Sequence, residues 1–434
     1  MSIRRFHQTT AAGSSNTVNP TSYIITGVTL TTNAGEDYDI KDAVAGIEIF
    51  ESIYSSSIEI TFDMVDGVAF LEDALITGNE KITLSLQQTN EETKYSLALE
   101  VYIAEIFDYA RVKPELVVYK FLCFSEHMYI NSTKKIVRAF NNSIGKLVET
   151  ICIRDLGIDP AGVDITETSS IIQGIYPRMR PLTAINWLMR NAIEDKSQFY
   201  FYESARDGIK FKSFKNLIDQ EVYNTYHYNR YDKNLPLTQA SYRDTKNKIK
   251  TISSNLNLSK LTSLSEGAYG STLHALDVST KSYVKSTHNY DGTHMLNNNK
   301  PYSTNFKINN TPIDEITDSI EYFIATNKKA FGRDVKTYHA PLPGGLMAKQ
   351  SHLENLDLIT QNLLLPGDLD IAVGNKIELH ILKPTDIRAM DVKPKDNVLS
   401  GNHIITAITH KFSSAEYLMN LDVQKDSYTV SMDK

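Results

Sequence analysis

The chain has 434 residues, of which 41% are hydrophobic and 22% are charged, an ordinary composition for a soluble protein of about two to four domains. Its 52 acidic residues outnumber its 45 basic residues, and the net charge of −7 argues against a nucleic-acid-binding protein, whose binding surface is usually basic. No run of residues approaches the roughly 20 apolar positions of a membrane-spanning helix, so we expect no membrane anchor.

The N-terminal segment and the cysteines indicate where the protein assembles. Arg4 and Arg5 are followed by a polar stretch without an apolar core, which predicts a flexible arm over residues 1–20 and not a signal peptide. Cys123 and Cys152 lie in apolar strand and helix patterns, so buried free thiols are favoured over a disulfide. Both features fit assembly in a reducing cytoplasm.

Alternating apolar and polar residues dominate the start of the chain. Ile47 to Ile53 and Ile58 to Phe62 each have the period of two that is typical of a half-buried strand. Several such strands at short spacing predict a small β-sandwich or β-barrel over residues 21–130.

Helical spacing then replaces the alternation. Ser143 is placed to cap a helix that ends at Gly157, and a second helix begins at Pro181, a favourable first-turn residue. This second helix leads into a hairpin with its turn at Asp207-Gly208. Residues 131–237 are therefore predicted to form a small α+β domain.

The later part of the chain is predicted to contain an insertion and a second β-module. A helix with an acidic first turn is predicted to begin at Thr311 and to end before Gly332, with a loop after it at Pro341 to Gly345. The predicted organisation is a flexible arm at 1–20, a first β-barrel at 21–130, an α+β domain at 131–237, a second β-barrel at 238–285 and 351–428, a helix-containing insertion at 286–350, and a C-terminal tail at 429–434.

Two segments, one in each half of the chain, have the same pattern of strand, turn and strand. Each contains a Gly-Asn pair, able to adopt the positive φ of a tight turn, followed by the strand pattern Lys-Ile-x-Leu. The residues of the two turns are Gly78, Asn79 and Lys81 in the first and Gly374, Asn375 and Lys376 in the second. Similar strands follow in the same order, which predicts two related β-modules; two unrelated hairpins are the alternative.

Motifs for catalysis, cofactors and metals are not found in the sequence. It contains no phosphate-binding loop, zinc helix, Cys-x-x-Cys pair or nucleophile elbow. His403 and His410 are seven positions apart in a strand pattern, so we expect them to face opposite sides of the sheet and not to share a metal ion. We predict no catalytic residue, no cofactor, no metal site and no enzyme activity.

A cluster of tyrosines provides a further candidate site. The cluster consists of Tyr223, Tyr226, Tyr228 and Tyr231. Because tyrosine buries a large area and keeps a polar tip, it is enriched at protein interfaces. The alternative is an edge strand of the α+β domain. Sugar binding is less favoured, because the single tryptophan, Trp187, lies in a helix pattern that predicts burial.

Taken in order, these motifs resemble the baseplate hub proteins of contractile-tailed bacteriophages, a family related to the hub part of type VI secretion spike proteins. Residues similar to the closing barrel of that family are Leu365-Pro366-Gly367-Asp368, Gly374, Lys376 to Ile381, Ser400 to Phe412 and Tyr417 to Leu421. Ile47 to Glu80 looks like the first barrel of the family, and Pro181 to Phe211 looks like its α+β domain.

The resemblance implies a mainly β, α+β fold with two tube-like barrels and an inserted α+β domain, and a homotrimer whose six barrels form a pseudo-hexameric ring. Such a ring joins the hexameric tail tube to a trimeric spike and contacts other baseplate proteins and the tape measure protein. It lets genomic DNA pass without specific binding. It implies a virion protein of the tail baseplate, with no catalytic residues to carry over. We expect free strand edges of the modules to form the subunit contacts, with the two turns and the tyrosines as interface candidates.

Two other functions are compatible with parts of this pattern. A type VI secretion or related contractile injection spike shares the hub but normally continues into a β-helical needle, whereas this sequence ends at Lys434, directly after the second barrel pattern. A tail-associated polysaccharide depolymerase predicts a long run of β-helix repeats and a constrained pair of acids, and neither occurs.

Overall fold

The structure is a computed structural model. It describes residues 5–10, 20–89, 93–169, 171–228, 245–257, 260–290, 292, 295–303, 305–326, 342–383, 394–414 and 416–433.

Strands make up most of the regular structure in these residues. The first eight are β1 (Arg5–Thr10), β2 (Ile24–Thr31), β3 (Asp37–Asp39), β4 (Val44–Ser52), β5 (Glu59–Asp66), β6 (Lys81–Thr89), β7 (Thr93–Lys113) and β8 (Leu116–Phe124). The next six are β9 (Ala139–Ser143), β10 (Val163–Ile165), β11 (Ile171–Ile175), β12 (Phe199–Ser204), β13 (Gly208–Ser213) and β14 (Val222–Tyr228). The remaining strands are β15 (Thr251–Leu256), β16 (Gly270–Asp277), β17 (Ser282–Asn289), β18 (Lys307–Ile308), β19 (Thr311–Pro312), β20 (Glu321–Thr326), β21 (Ile359–Pro366), β22 (Lys376–Ile381), β23 (Gly401–Ser413) and β24 (Tyr417–Lys425).

Helices are short and connect or cover the strands. They are α1 (Phe70–Asp73), α2 (Glu126–Thr133), α3 (Ile144–Thr150), α4 (Pro181–Asn191), α5 (Phe214–Asp219), α6 (Lys260–Ser265) and α7 (Leu342–Leu356). A π-helical turn, Ile151–Asp155, continues α3, and one-turn 3-10 helices span Lys41–Ala43, Pro160–Gly162 and Ile313–Glu315.

One large sheet organises the molecule. Its main path runs β15-β21-β24-β23-β4-β5-β8-β7-β6-β2-β3, and β1, β14 and β22 pair beside it. The protein is mainly β, as predicted, but the described strands do not close into two separate barrels. The reason is that β23 pairs with β4, so the strands of the two modules join edge to edge in one open sheet.

Apolar side chains of this sheet point into two neighbouring cores. The first core contains Ile49 of β4, Phe62 of β5 and Phe121 of β8, and the second contains Leu363 of β21 and Leu421 of β24. In each strand the buried residues alternate with partly exposed ones, as the period of two requires.

The helical segment follows the predicted local signals. The Ser143 hydroxyl accepts a hydrogen bond from the Lys146 N–H at the start of α3, and α4 begins at Pro181. Gly208, the first residue of β13, has a φ of +84° where the turn from β12 ends. Cys123 and Cys152 are buried free thiols, which confirms that prediction.

The helix predicted from Thr311 is wrong. Thr311 and Pro312 form β19, and Glu321–Thr326 forms β20, which pairs with β16 in parallel. Phe323, in the middle of β20, is 74% exposed. Residues 327–341, which include the predicted end of that helix, lie outside the described part of the chain. Aromatic and β-branched residues in β20 favour a strand once a partner strand is available.

Two smaller predictions are also wrong. The loop predicted at Pro341 to Gly345 is part of helix α7 from Leu342 onward, and Pro341 lies outside the described residues. Pro343 is in the first turn of α7, where a backbone N–H has no partner within the helix, so proline is tolerated there. Trp187 is 40% exposed although it lies in α4. The buried face of α4 contains Ala184, Ile185 and Leu188, and Trp187 projects beside that face.

Candidate functional site

The first repeated turn is held by the glutamate that follows it. Gly78 and Asn79 have φ values of +89° and +92°. The buried carboxylate of Glu80 accepts hydrogen bonds from the N–H groups of Thr77 (3.0 Å) and Gly78 (2.9 Å). Asn79 N–H donates to the carbonyl of Ile103 (2.7 Å), whose own N–H donates to the Glu80 carbonyl (2.9 Å). These bonds fix the turn against β7.

The second turn has the same network. Gly374, with a φ of +85°, donates its N–H to the Ile405 carbonyl (2.8 Å), and Ile405 N–H donates to the Asn375 carbonyl (3.0 Å). The Asn375 side-chain oxygen accepts from the N–H of Ala372 (2.8 Å), three residues before it, as Glu80 does in the first turn. The turn is fixed against β23.

The two networks define which residues of the turns are equivalent. Asn79 corresponds to Gly374, Glu80 to Asn375 and Lys81 to Lys376, so the two Gly-Asn pairs are offset by one residue. The shared requirement is a positive φ at the residue that donates across the sheet. Glycine adopts this conformation freely and asparagine more readily than most residues, which explains the exchange.

The equivalence extends over four strands of each module. In β7 the pairing register shifts between Ile103 and Glu105, and in β23 it shifts between Ile405 and Ala407. Cross-strand pairs at these bulges match as well, since Ile103 lies opposite Cys123 and Ile405 lies opposite Val423. The strand order β4-β5-β8-β7 therefore recurs as β15-β21-β24-β23. These registers confirm the prediction of two related modules.

The surroundings of the two turns differ. A Cβ added at Gly78 meets no atom within 4 Å, and Asn79 is exposed. A Cβ added at Gly374 lies 2.6 Å from the Tyr202 hydroxyl, and the Gly374 carbonyl accepts a hydrogen bond from the Gln220 amide (2.7 Å). The first turn is open, and the second is covered by the α+β segment.

The two lysines after the turns lie in internal strands. Lys81 Nζ is 3.8 Å from Glu100, and Lys376 Nζ donates to the Ile218 carbonyl (2.6 Å). Strand β6 pairs with both β2 and β7, and β22 pairs with both β14 and β23. Both strands of the repeated motif are therefore internal to the sheet, so the free strand edges that we expect at the subunit contacts must belong to other strands.

The tyrosine cluster belongs to the second module. Strand β14 pairs in parallel with β22, so it is not an edge strand of the α+β domain. Tyr226 is buried in the second core, Tyr228 is partly buried, and Tyr231 lies outside the described residues. Burial and the nearby Asp368 raise the pKa of Tyr223 and of Tyr226 well above the usual value. Both phenols are therefore neutral, and the Tyr223 hydroxyl donates to Asp368 (2.8 Å).

The Leu365-Pro366-Gly367-Asp368 motif links the modules. The Gly367 carbonyl accepts from the Gln88 side-chain amide (2.8 Å), and the Leu369 N–H donates to the Gln88 side-chain oxygen (2.9 Å). Asp368 is 1% exposed and pairs with Lys246 (3.0 Å). Desolvation raises the pKa of Asp370 although Arg206 lies 3.1 Å away. The Leu-Pro-Gly-Asp motif could be recognised in the sequence, but no sequence signal indicated that Gln88 contacts it.

Two buried glutamates, which we did not predict as functional residues, connect the first module to the α+β segment. Glu51 of β4 accepts a hydrogen bond from the Ala205 N–H (2.7 Å), and Glu203 of β12 accepts one from the Ile58 N–H (2.7 Å). Glu203 also accepts from the Ser125 hydroxyl (2.8 Å). The only sequence signal was an acid at a buried strand position.

No arrangement for metal binding is present among the described residues: they contain no group of three or more His, Cys, Asp or Glu that could hold a metal ion. The expectation that His403 and His410 face opposite sides is wrong. The bulge between them shifts the alternation, so both are buried and lie opposite Ile377 and Met419 of the second core. No helix in the described residues is long and apolar enough to span a membrane.

Comparisons with known proteins identify the fold. No protein-family model matches the sequence, and no curated protein matches it significantly. The structure is similar to that of the tail protein from Neisseria meningitidis MC58, with a TM-score of 0.52, 8% identity and coverage of 94% of this chain and 98% of that one. It is also similar to the prophage MuSo2 tail protein from Shewanella oneidensis, with a TM-score of 0.53, 11% identity and coverage of 94% and 100%. The chain has the fold of phage tail proteins, as its resemblance to baseplate hub proteins predicted.

Proposed function

We propose that this chain is the structural baseplate hub of a contractile phage tail and acts through assembly, not catalysis. In this function three chains form a ring that joins a hexameric tail tube to a trimeric spike. The observation that carries the proposal is the edge-to-edge union of two equivalent modules through β23 and β4. Three such chains supply six equivalent modules, which is what an adapter between sixfold and threefold partners needs.

The partners follow from this geometry. One face of the ring receives the tail tube and the other receives the spike, while the rim contacts other baseplate proteins. The tape measure protein and then the genomic DNA pass through the centre. We place the protein in the tail baseplate of the virion, after assembly in the host cytoplasm.

The face of the sheet opposite the two cores supports a channel that does not hold DNA. Alternation along the strands assigns the following charged residues to this face in β4, β5, β8, β23 and β24: Glu48, Glu59, Asp63, Lys120, Lys411 and Asp422. Acids outnumber lysines here, and both lysines are paired, Lys411 with Glu48 (3.0 Å) and Lys120 with Asp63 (3.3 Å). A wall with few free cations releases few counterions from DNA and so binds it weakly.

The mass of the protein in solution tests the ring. Light scattering coupled to size exclusion is expected to give three times the chain mass of 48.9 kDa for the protein alone, or that mass plus the mass of the spike trimer once the spike is added. The spike protein alone is the control for its own mass. A monomer or a stable dimer in the presence of the spike contradicts the proposal.

A gel-shift titration tests the channel. The assembled protein is expected not to retain duplex DNA at micromolar concentration in about 50 mM salt, where electrostatic binding is strongest. A variant with Glu59→Lys and Asp422→Lys is the matched positive control, since it converts a partly exposed acid and an exposed acid of the same face into cations. Tight, salt-sensitive retention by the unmodified protein contradicts passive passage.

A further inference from the structure

One edge of β7 has no partner strand among the described residues. Strand β7 pairs with β6 only as far as Tyr102, where it also pairs with Phe124 of β8. The two neighbours at Tyr102 must lie on opposite edges of β7. Beyond Tyr102, β8 continues to pair with its own edge of β7 as far as Lys113. The other edge, from Glu105 to Arg111, faces no described strand, and most of its side chains are exposed.

The equivalent edge of the second module is occupied. Ile404 of β23 pairs with both Lys376 of β22 and Gln424 of β24, so these two strands also lie on opposite edges. Beyond the bulge, the β22 edge of β23 pairs with β4 from Ala407 to Ser413. Because β7 and β23 are equivalent, the free edge of β7 corresponds to the edge of β23 that β4 covers.

The strand equivalent to β4 is β15, which lies at one end of the large sheet. β4 pairs with β5 as β15 pairs with β21, so that Glu48 corresponds to Ser253 and Phe50 to Asn255. In the described part of the chain, β15 pairs on one side only, and Leu256 is 44% exposed. One joint between modules, the pairing of β23 with β4, is thus formed within the chain. The equivalent strands β7 and β15 each have an edge without a described partner.

We propose that β7 of one subunit pairs in antiparallel fashion with β15 of the next subunit, an inference that rests on the ring proposed above. The joint inside the chain sets the register. Ile408 lies opposite Glu51, and Thr409 lies opposite Phe50. The equivalent pairs between chains are Ile106 with Leu256 and Phe107 with Asn255. Pairing Ile106 with Leu256 removes apolar surface from water, and the strand edges exchange water for backbone hydrogen bonds.

The same pairing closes the sheet. The path from β15 to β7 contains eight strands, with the two free edges at its ends. Three chains joined in this way form a continuous barrel around the channel, and closure leaves no edge in that barrel for further chains to add to. A positive φ at Asp108, within a second bulge of β7, limits the matched register to the residues before it.

Disulfide cross-linking tests the register. Directly opposed residues of antiparallel strands have Cβ atoms about 5 Å apart, close to the separation that a disulfide bridges. A variant with Ile106→Cys and Leu256→Cys is expected to form covalent dimers and trimers on mild oxidation. Cys123 and Cys152 are buried and do not compete. Since β7 and β15 lie at opposite ends of the eight-strand path, this disulfide joins two chains.

A matched control pairs Ile106→Cys with Ser253→Cys, three residues farther along β15 or about 10 Å away. This control, and each single-cysteine variant, is expected to cross-link at least tenfold less. Two results overturn the proposed pairing of Ile106 with Leu256: a trimer by light scattering whose cysteines at these positions do not cross-link, or equal cross-linking in the control. Neither result contradicts the proposed function. Absence of a trimer with the spike present overturns both.

Discussion

Replacing Gly367 with alanine is expected to destabilise the protein by about 3 kcal/mol, because the site is already filled. A Cβ at this position lies 2.2 to 2.4 Å from three ring atoms of Tyr417. The ring cannot move aside easily, since it stacks on Phe412 at 4.2 Å and its hydroxyl lies 2.8 Å from His410 Nδ1. The Gly367 N–H also donates to the Tyr417 carbonyl (2.9 Å), which holds the two backbones together.

Urea unfolding of the purified protein measures this effect. Gly27→Ala is the matched control, because Gly27 also lies beside a strand partner, but a Cβ there meets no atom within 4 Å. We expect the control to change the free energy of unfolding by less than about 0.5 kcal/mol. Equal stability of the two variants contradicts the packing of Gly367 against Tyr417.

Replacing Glu203 with alanine is expected to cost about 3 kcal/mol, because it removes a buried carboxylate that accepts hydrogen bonds from two buried donors. These donors are the Ile58 N–H (2.7 Å) and the Ser125 hydroxyl (2.8 Å), which belong to the first module and its following segment. Glu203 itself lies in β12, so the loss is expected to weaken the attachment of the α+β segment. Increased hydrogen exchange at the Ile58 amide is the local sign of this loss.

Thermal unfolding and hydrogen exchange are compared with those of Glu72→Ala, which removes an exposed carboxylate in α1. The control is expected to be within about 0.5 kcal/mol of the unmodified protein. An unchanged Ile58 amide and an unchanged unfolding temperature in the Glu203 variant count against the connection.

Local chemistry made part of the fold predictable from the sequence. The cap at Ser143, the helix start at Pro181 and the turn at Gly208 each depend on a few neighbouring residues, and each is present in the structure. The helix predicted from Thr311 failed because β20 gains its partner, β16, from elsewhere in the chain. Periodicity does not reveal whether a partner strand is available.

The candidate site shows the same limit. The repeated turns were visible because glycine and asparagine accept a positive φ, yet matching Gly78 with Gly374 sets the turns one residue out of register, although the Lys-Ile-x-Leu strands after them match. Backbone hydrogen bonds decide the register, and these bonds involve any residue type. Pairing of β23 with β4, which joins the modules, has no signature in either strand, so neither the joint nor the two unpaired edges could be found from residue types alone.

The unequal surroundings of the two turns have a consequence for how a ring of this protein is recognised. The turn at Gly78 and Asn79 is open, whereas Gly374 is covered by Tyr202 and Gln220. Around the ring that we propose, three open turns alternate with three covered turns. A partner that contacts only the shared backbone framework experiences six similar positions, while a partner that reaches the turns can distinguish every second one. The strands of the proposed ring thus have approximate sixfold symmetry, whereas its exposed turns have threefold symmetry. A threefold-symmetric partner that contacts the turns can therefore bind in a defined orientation about the ring axis.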